Sequence, residues 1–464
     1  MNTRAASGFL ALVVAAGSLA ARADDWKEAE AIVASIHDPV VPTLRVNISA
    51  LGALPDGRTD ALPAIRRAIA QCEAKGGGHV VVPAGTFLVD GPIRLESNLD
   101  LHLEAGAVLL FGADPARYLP VVLSRYEGTL YYGHSARITA RGATNVCITG
   151  SGTIDGNARG TFALMKGRPV GSVDLLRADG ANQVPVKERV FGEGHWLRPS
   201  LIEPYDCTHV LIEGVTLEDS TFWIVHPILS RFITVRNLKV ESFNANNDGC
   251  DPDSCSDILV EGCDFHTGDD SIAIKSGRDK DAWAVGRATE RLVIRHCIMR
   301  SRYSALCIGS EMSGGVRDVF MEDCKVIGSA SAFYFKGNLD RGGLVEHIRA
   351  RNITVDAVKE SAIRFETGYH GYRGGHFPPS FKDFVIENLT CGKSSAYALY
   401  SEGVEGCPIR QVLIRNVTVV SAKAALWLKH NEDLTLDHVS VNGVVLPPHP
   451  PETGPAEIKL PIKS

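Results

Sequence analysis

The sequence predicts an all-β chain: a single-stranded, right-handed parallel β-helix, a solenoid with a capping helix at its amino-terminal end. Three observations predict it. One short pattern returns along most of the chain, each unit is two brief β-runs with period-2 alternation, and helical periodicity is almost absent from the units. The units begin "ITGSGTIDG" at Ile148, "IEGVTLEDS" at Ile212, "VRNLKVESF" at Val235 and "VEGCDFHTG" at Val260. They continue at Ile294, Met321, Ala350, Ile386, Ile414 and Leu436, and from Ile212 on the starts lie 22 to 36 residues apart. Each pair of runs pivots on Asn, Gly, Asp or His. One such unit cannot bury its apolar face alone, so successive units must stack. Stacked strands lie about 4.8 Å apart, and equivalent positions form ladders along the axis. A leucine-rich horseshoe lacks its leucine spacing here, and a propeller lacks antiparallel hairpin turns.

The elements follow in chain order. Residues 1–23 read as an export signal: Arg4, the short apolar run "FLALVVAAGSLA", and the small-x-small site Ala21-Arg22-Ala23. That run is too short for a membrane span, and none follows, so a secreted or periplasmic protein with no membrane partner is expected. In "TDALPAIRRAIAQCEAKGGG", Leu62, Ile65, Ala68 and Ile69 recur at helical spacing, Pro63 suits an early helical position, and glycines from Gly76 stop the helix. This is the expected cover for the open end, whose strand edges are otherwise unpaired. The solenoid is read as one domain over 24–445, and the Pro-rich 446–464 as an irregular tail.

A net charge of −6 and the lack of a long basic run exclude a nucleic-acid partner. Most of the 11 cysteines sit in apolar strand-like segments and read as small buried hydrophobes. Cys250, Cys255 and Cys263 lack the paired spacing of a zinc site. No metal and no cofactor are expected, and the solenoid is read as a monomer.

The stretch "NNDGCDPDSCSDILVEGCDFHTGDDSIAIKSG", from Asn246 to Gly277, holds seven aspartates between apolar runs. Asp248 and Asp269 are 21 residues apart, about one short coil, so they are expected on adjacent coils at similar places around the circumference. At least one of Asp269 and Asp270 then joins Asp248 on the outer surface. Stacked carboxylates raise one another's pKa. A raised carboxyl suits a general acid, while an ionised neighbour suits a base. Asp and Asn are also frequent at coil corners. A calcium loop is a poor fit, because Gly262 stands where a bidentate Glu belongs.

Four ordered motifs carry a resemblance: "NND" at Asn246–Asp248, "GDD" at Gly268–Asp270, "IGSE" at Ile308–Glu311 and "FKGN" at Phe335–Asn338. Together they resemble glycoside hydrolase family 28, the polygalacturonase family of pectin hydrolases, and the likeness covers most of the chain after the signal. It implies a right-handed parallel β-helix acting on pectic polysaccharide or oligosaccharide. It implies Asp269 as the acid, with Asp248 and Asp270 holding and deprotonating the attacking water, giving inversion. Two motifs depart from the family. The family's Gly-His-Gly before "IGS" is here "RYS", which puts Tyr303 in the histidine's place, or Ser304 if the loop shifts by one. The family's Arg-x-Lys is "YFK", which puts Tyr334 where an arginine binds the galacturonate carboxylate and keeps Lys336. Arg302, Lys275 and Arg341 are nearby in sequence and are candidate substitutes for that arginine.

Asn246, His226, Trp223 and, from the insertion "ETGYHGYRGGHFPPSF", Tyr369, His370 and Tyr372 are further candidate cleft residues. Aromatic rings suit sugar faces. The Asn-x-Ser/Thr triplets at Asn352, Asn388 and Asn416 belong to the repeat and read as strand residues, not glycan sites. The expected function is an inverting hydrolase of a galacturonic-acid-containing pectic chain, exo-acting if insertions block the cleft. The alternatives are a rhamnogalacturonan hydrolase, a β-helix lyase, and a polysaccharide-binding protein without turnover.

Overall fold

A computed structural model describes residues 25–159, 170–370 and 376–453. The proposed export signal, Tyr372 and most of the tail lie outside the described residues. The chain winds into a parallel β-helix whose coils pair edge to edge. The repeat starts form one ladder: Ile148 pairs with Ile212, then Val235, Val260, Ile294, Met321, Ala350, Ile386, Ile414 and Leu436 follow in register. All are buried in one continuous core.

The pivots explain themselves in backbone terms. Asn237, His296, Asp323, Asn352, Asn388, Asn416 and His438 all have φ between 50° and 57°. Asn, Asp and His are among the side chains that tolerate this left-handed conformation best, and each turns the chain from one face of the coil to the next. Their amides also stack. Asn352 donates to Asp323 at 3.0 Å, Asn388 to Asn352 at 3.2 Å, and Asn416 to Asn388 at 3.1 Å. A second left-handed ladder runs through His209, Phe232, Asp257, Arg291, Asp318, His347, Asp383, Gln411 and Asp433. Its residue types vary too much for a sequence pattern to reveal it.

Among the described residues, four α-helices decorate the coils. α1 spans 25–35 and α2 spans Leu62–Glu73. The Asp60 carboxylate accepts from the Leu62 N–H at 2.9 Å and starts α2, while Pro63 occupies its first turn. Leu62, Ile65 and Ile69 enter the main core at the amino-terminal coils. Each such buried side chain contributes about 1.5–3 kcal/mol. α1 was not expected from the sequence. It lies on an outer sheet face, where its Ala29 and Ile32 cover Leu259, Val293 and Phe320. α3 (Val170–Ala181) and α4 (Asp279–Val285) belong to connections between coils. At the other end, residues 446–453 hydrogen-bond along the last coils, with the Leu446 N–H on Val439 O and the Thr453 N–H on Leu428 O.

Ten of the 11 cysteines are buried, Cys407 is half-buried, and all are unpaired thiols.

Candidate active site

The isolated bridges Val225–Cys250 and Cys250–Ile272 set the register under the aspartates. This places Asp248 opposite Asp270, not Asp269: the Gly249 N–H donates to Asp270 O at 3.0 Å, while the Asp269 N–H reaches Asn247 O at 3.3 Å. The coil here is one residue longer than the 21-residue spacing implies. Two motif glycines allow the approach. A Cβ on Gly268 would lie 2.3 Å from Asn244 O, and one on Gly249 would lie 2.5 Å from Ser271 O.

All three carboxylates still converge, with one oxygen of each within 4.8 Å of the others. Asp248 and Asp270 are buried, and Asp269 is half-buried. Asp270 accepts the Ser304 N–H at 2.7 Å and faces the Lys336 ammonium at 3.5 Å. The Lys275 ammonium lies 3.9 Å from Asp248. Burial, then the charge of Asp269, pushes the Asp248 carboxyl well above the usual carboxylate range. Three such oxygens could share a cation, but the two lysines already supply the local positive charge.

A polar cavity of about 250 Å³ opens over the triad. Of the expected residues, Asn246, Lys336 and Tyr369 line it, as do Trp223, Lys275, Arg341 and His370. Asn246 accepts from Arg198 at 2.7 Å. Four expected residues are not among those lining the cavity. His226 is fully buried beneath Trp223, its ring 4.7 Å from the indole and its Nδ1 3.1 Å from Ser200 Oγ, so it supports the cavity floor. Tyr334 is covered by Tyr369, donates its hydroxyl to Glu366 and lies under the Arg364 guanidinium at 4.6 Å; it does not line the cavity. Arg302 is exposed outside the cavity, 5.7 Å from the Tyr303 ring. Tyr303 is half-buried at the margin, its hydroxyl pushed up by burial and by the charge of Asp269.

Glu127, Arg177, Arg278 and Glu311 also line the cavity and had no assigned role from sequence. Glu311 is buried, which pushes its carboxyl up. Lys275, Arg278 and Arg341 outweigh that and hold it well below the ordinary range.

A parallel β-helix carrying a carboxylate triad in a polar cavity is an architecture suited to a polysaccharide-cleaving glycosidase. The model for glycosyl hydrolases family 28 matches residues 72–435, and the chain belongs to that family. It is 32% identical over 395 residues to a probable polygalacturonase of Vitis vinifera, covering 80% of this chain and 74% of the relative. It is 26% identical to an exo-poly-alpha-D-galacturonosidase of Dickeya chrysanthemi, covering 75% of this chain and 62% of that protein. The crystal structure of a hyperthermoactive exopolygalacturonase from Thermotoga maritima superposes with a TM-score of 0.87 at 37% identity, covering 90% of this chain and 96% of that one.

Proposed function

We propose that this chain hydrolyses the α-glycosidic bonds of galacturonic-acid-containing pectin and acts from chain ends. The observation that carries the reading is the triad set beside Lys336 in a cavity lined by charged side chains. Three carboxylates this close cannot all ionise, so the triad keeps a proton at neutral pH. Asp269, the least buried of the three, donates that proton to the leaving oxygen. Asp248 and Asp270 hold and deprotonate the attacking water. Lys336 faces Asp270 and is placed to pair with a substrate carboxylate as well. Asp248 and Asp270 hold the water on the face of the sugar ring opposite the leaving oxygen, and inversion is the proposed outcome. The proposed setting is outside the cytoplasm, from the Arg4-led apolar run and Ala21-Arg22-Ala23. Among the described residues no helix is long and apolar enough to cross a membrane.

Incubation with polygalacturonate tests the reading. Reducing ends should appear without the ultraviolet absorbance of an unsaturated product, and proton NMR should show the inverted anomer first. Asp269→Asn should fall about 10²–10⁴-fold in kcat, the usual worth of an acid, with an unchanged circular dichroism spectrum. Ultraviolet absorbance, or full activity in that variant, would reject the assignment.

A further inference from the structure

Part of the cavity does none of this chemistry. Lys275 lies between the two halves, 3.9 Å from Asp248 and 3.5 Å from Glu311. Beyond it stand Arg278 and Arg341, 5% and 2% exposed. Arg278 donates Nε to Glu127 O at 3.1 Å and Nη2 to Glu311 at 2.9 Å. Arg341 donates Nε to Ser310 O at 2.7 Å and Nη1 to Asp279 at 2.6 Å. Its Nη2 lies 3.8 Å from Glu311. Both side chains line the cavity. Two guanidinium groups lining one space match a planar carboxylate. Arg177, from α3, lines the same space, pairs with Glu127 through Nη2, and leaves its buried Nε without a partner.

The same region is walled. Strands Val122–Tyr126 and Thr129–Gly133 form a hairpin over it. The Arg278 N–H donates to Gly128 O at 3.0 Å, the Leu130 N–H to Asp281 at 2.8 Å, and Arg189 to Asp281 at 2.7 Å. Trp283 Nε1 closes onto Arg341 O at 3.2 Å. Hairpin, α4 and the Arg341 segment are thus bound to one another and, among the described residues, wall this side of the cavity.

We infer that Arg278 and Arg341, with Arg177 beside them, bind the carboxylate of the terminal uronic acid of the substrate. One sugar then fills the space between this clamp and the triad, and the product of each cleavage is a single uronic acid. This inference rests on the proposed uronide hydrolysis. It also explains how carboxylate recognition survives with Tyr334 in the place of the family's arginine: guanidinium groups from connecting segments take over the role on the walled side of the triad.

The test uses the full chain with digalacturonate and its two monomethyl esters. The wild type should cleave the free acid at least 30-fold better, in kcat/KM, than the ester whose neutralised sugar enters the clamp. Arg278→Lys keeps the charge but loses the fork, and should bring that ratio near unity, mainly by raising KM for the free acid. An unchanged ratio, or equal losses on both substrates, overturns the clamp. Should Arg278→Lys fail to fold, Arg177→Gln provides the same comparison. The first products from tetragalacturonate should be the monomer and the trimer; dimers as first products also overturn the inference. A wild type that cleaves none of these compounds would instead reject the hydrolase reading.

Discussion

Asp248 and Asp251 lie three residues apart, both buried, and serve opposite ends. Asp248 faces the cavity, where its raised carboxyl lets the triad retain a proton. Asp251 lies wholly inside, and neither of its oxygens has a hydrogen-bond partner among the described residues. Burial, then the charge of Asp248, pushes Asp251 well above the usual carboxylate range. A raised folded-state value favours the protonated native form. The stabilisation from Asp251 is therefore complete below the unfolded carboxyl value of about 3.9 and is lost as pH rises toward the folded value. Asp251→Asn removes that loss. Thermal denaturation should show a variant equal to wild type near pH 4 and increasingly more stable than it toward neutrality; a difference that does not grow with pH would refute this. At this scale the sequence exposed the triad, because the motifs and one-coil spacing point to it. It left open which of Asp269 and Asp270 lies opposite Asp248, since a one-residue difference in coil length is invisible without the register. His226 and Tyr334 were misread because alternation tells which way a side chain leaves the strand, not what then covers it.

The elements were legible in proportion to their regularity. The pivots recur as Asn, Asp, Gly or His because each must hold a left-handed backbone, and that requirement recurs once per coil. Asn352 combines this conformation with two amide hydrogen bonds in the ladder. Asn352→Ala should cost about 2–4 kcal/mol in urea unfolding, the sum of the left-handed strain and the lost bonds. Asn352→Gly should recover the strain component, and equal losses in both variants would contradict the account. The cap α2 was readable from its apolar spacing and Pro63. α1 carried a comparable signal in Trp26, Ala29, Ile32, Val33 and Ile36, and its apolar face meets Leu259, Val293 and Phe320. It was missed because a solenoid reading assigns outward strand residues to solvent and does not ask for a cover. Arg177 and Arg278 had no pattern to betray them: each comes from a connecting segment, where length and composition vary freely.

Across the whole molecule one core runs from Ile48 to Val441 without interruption. The coils supply a rigid frame, and the segments that leave it decide what reaches the triad. The hairpin, α3 and α4 all meet near the cavity, and in the proposed reading they turn what a bare solenoid would offer as an open trough into a dead end. The consequence appears in the bulk behaviour of a pectin solution. A trough severs long chains at their middles and thins the liquid almost at once. A dead end can only nibble at tips, so sugar should accumulate while the liquid stays thick, and the rate should follow the number of molecules supplied rather than their mass. Capillary viscometry run beside a sugar assay reads this directly, and an early collapse in viscosity would show that the passage is open.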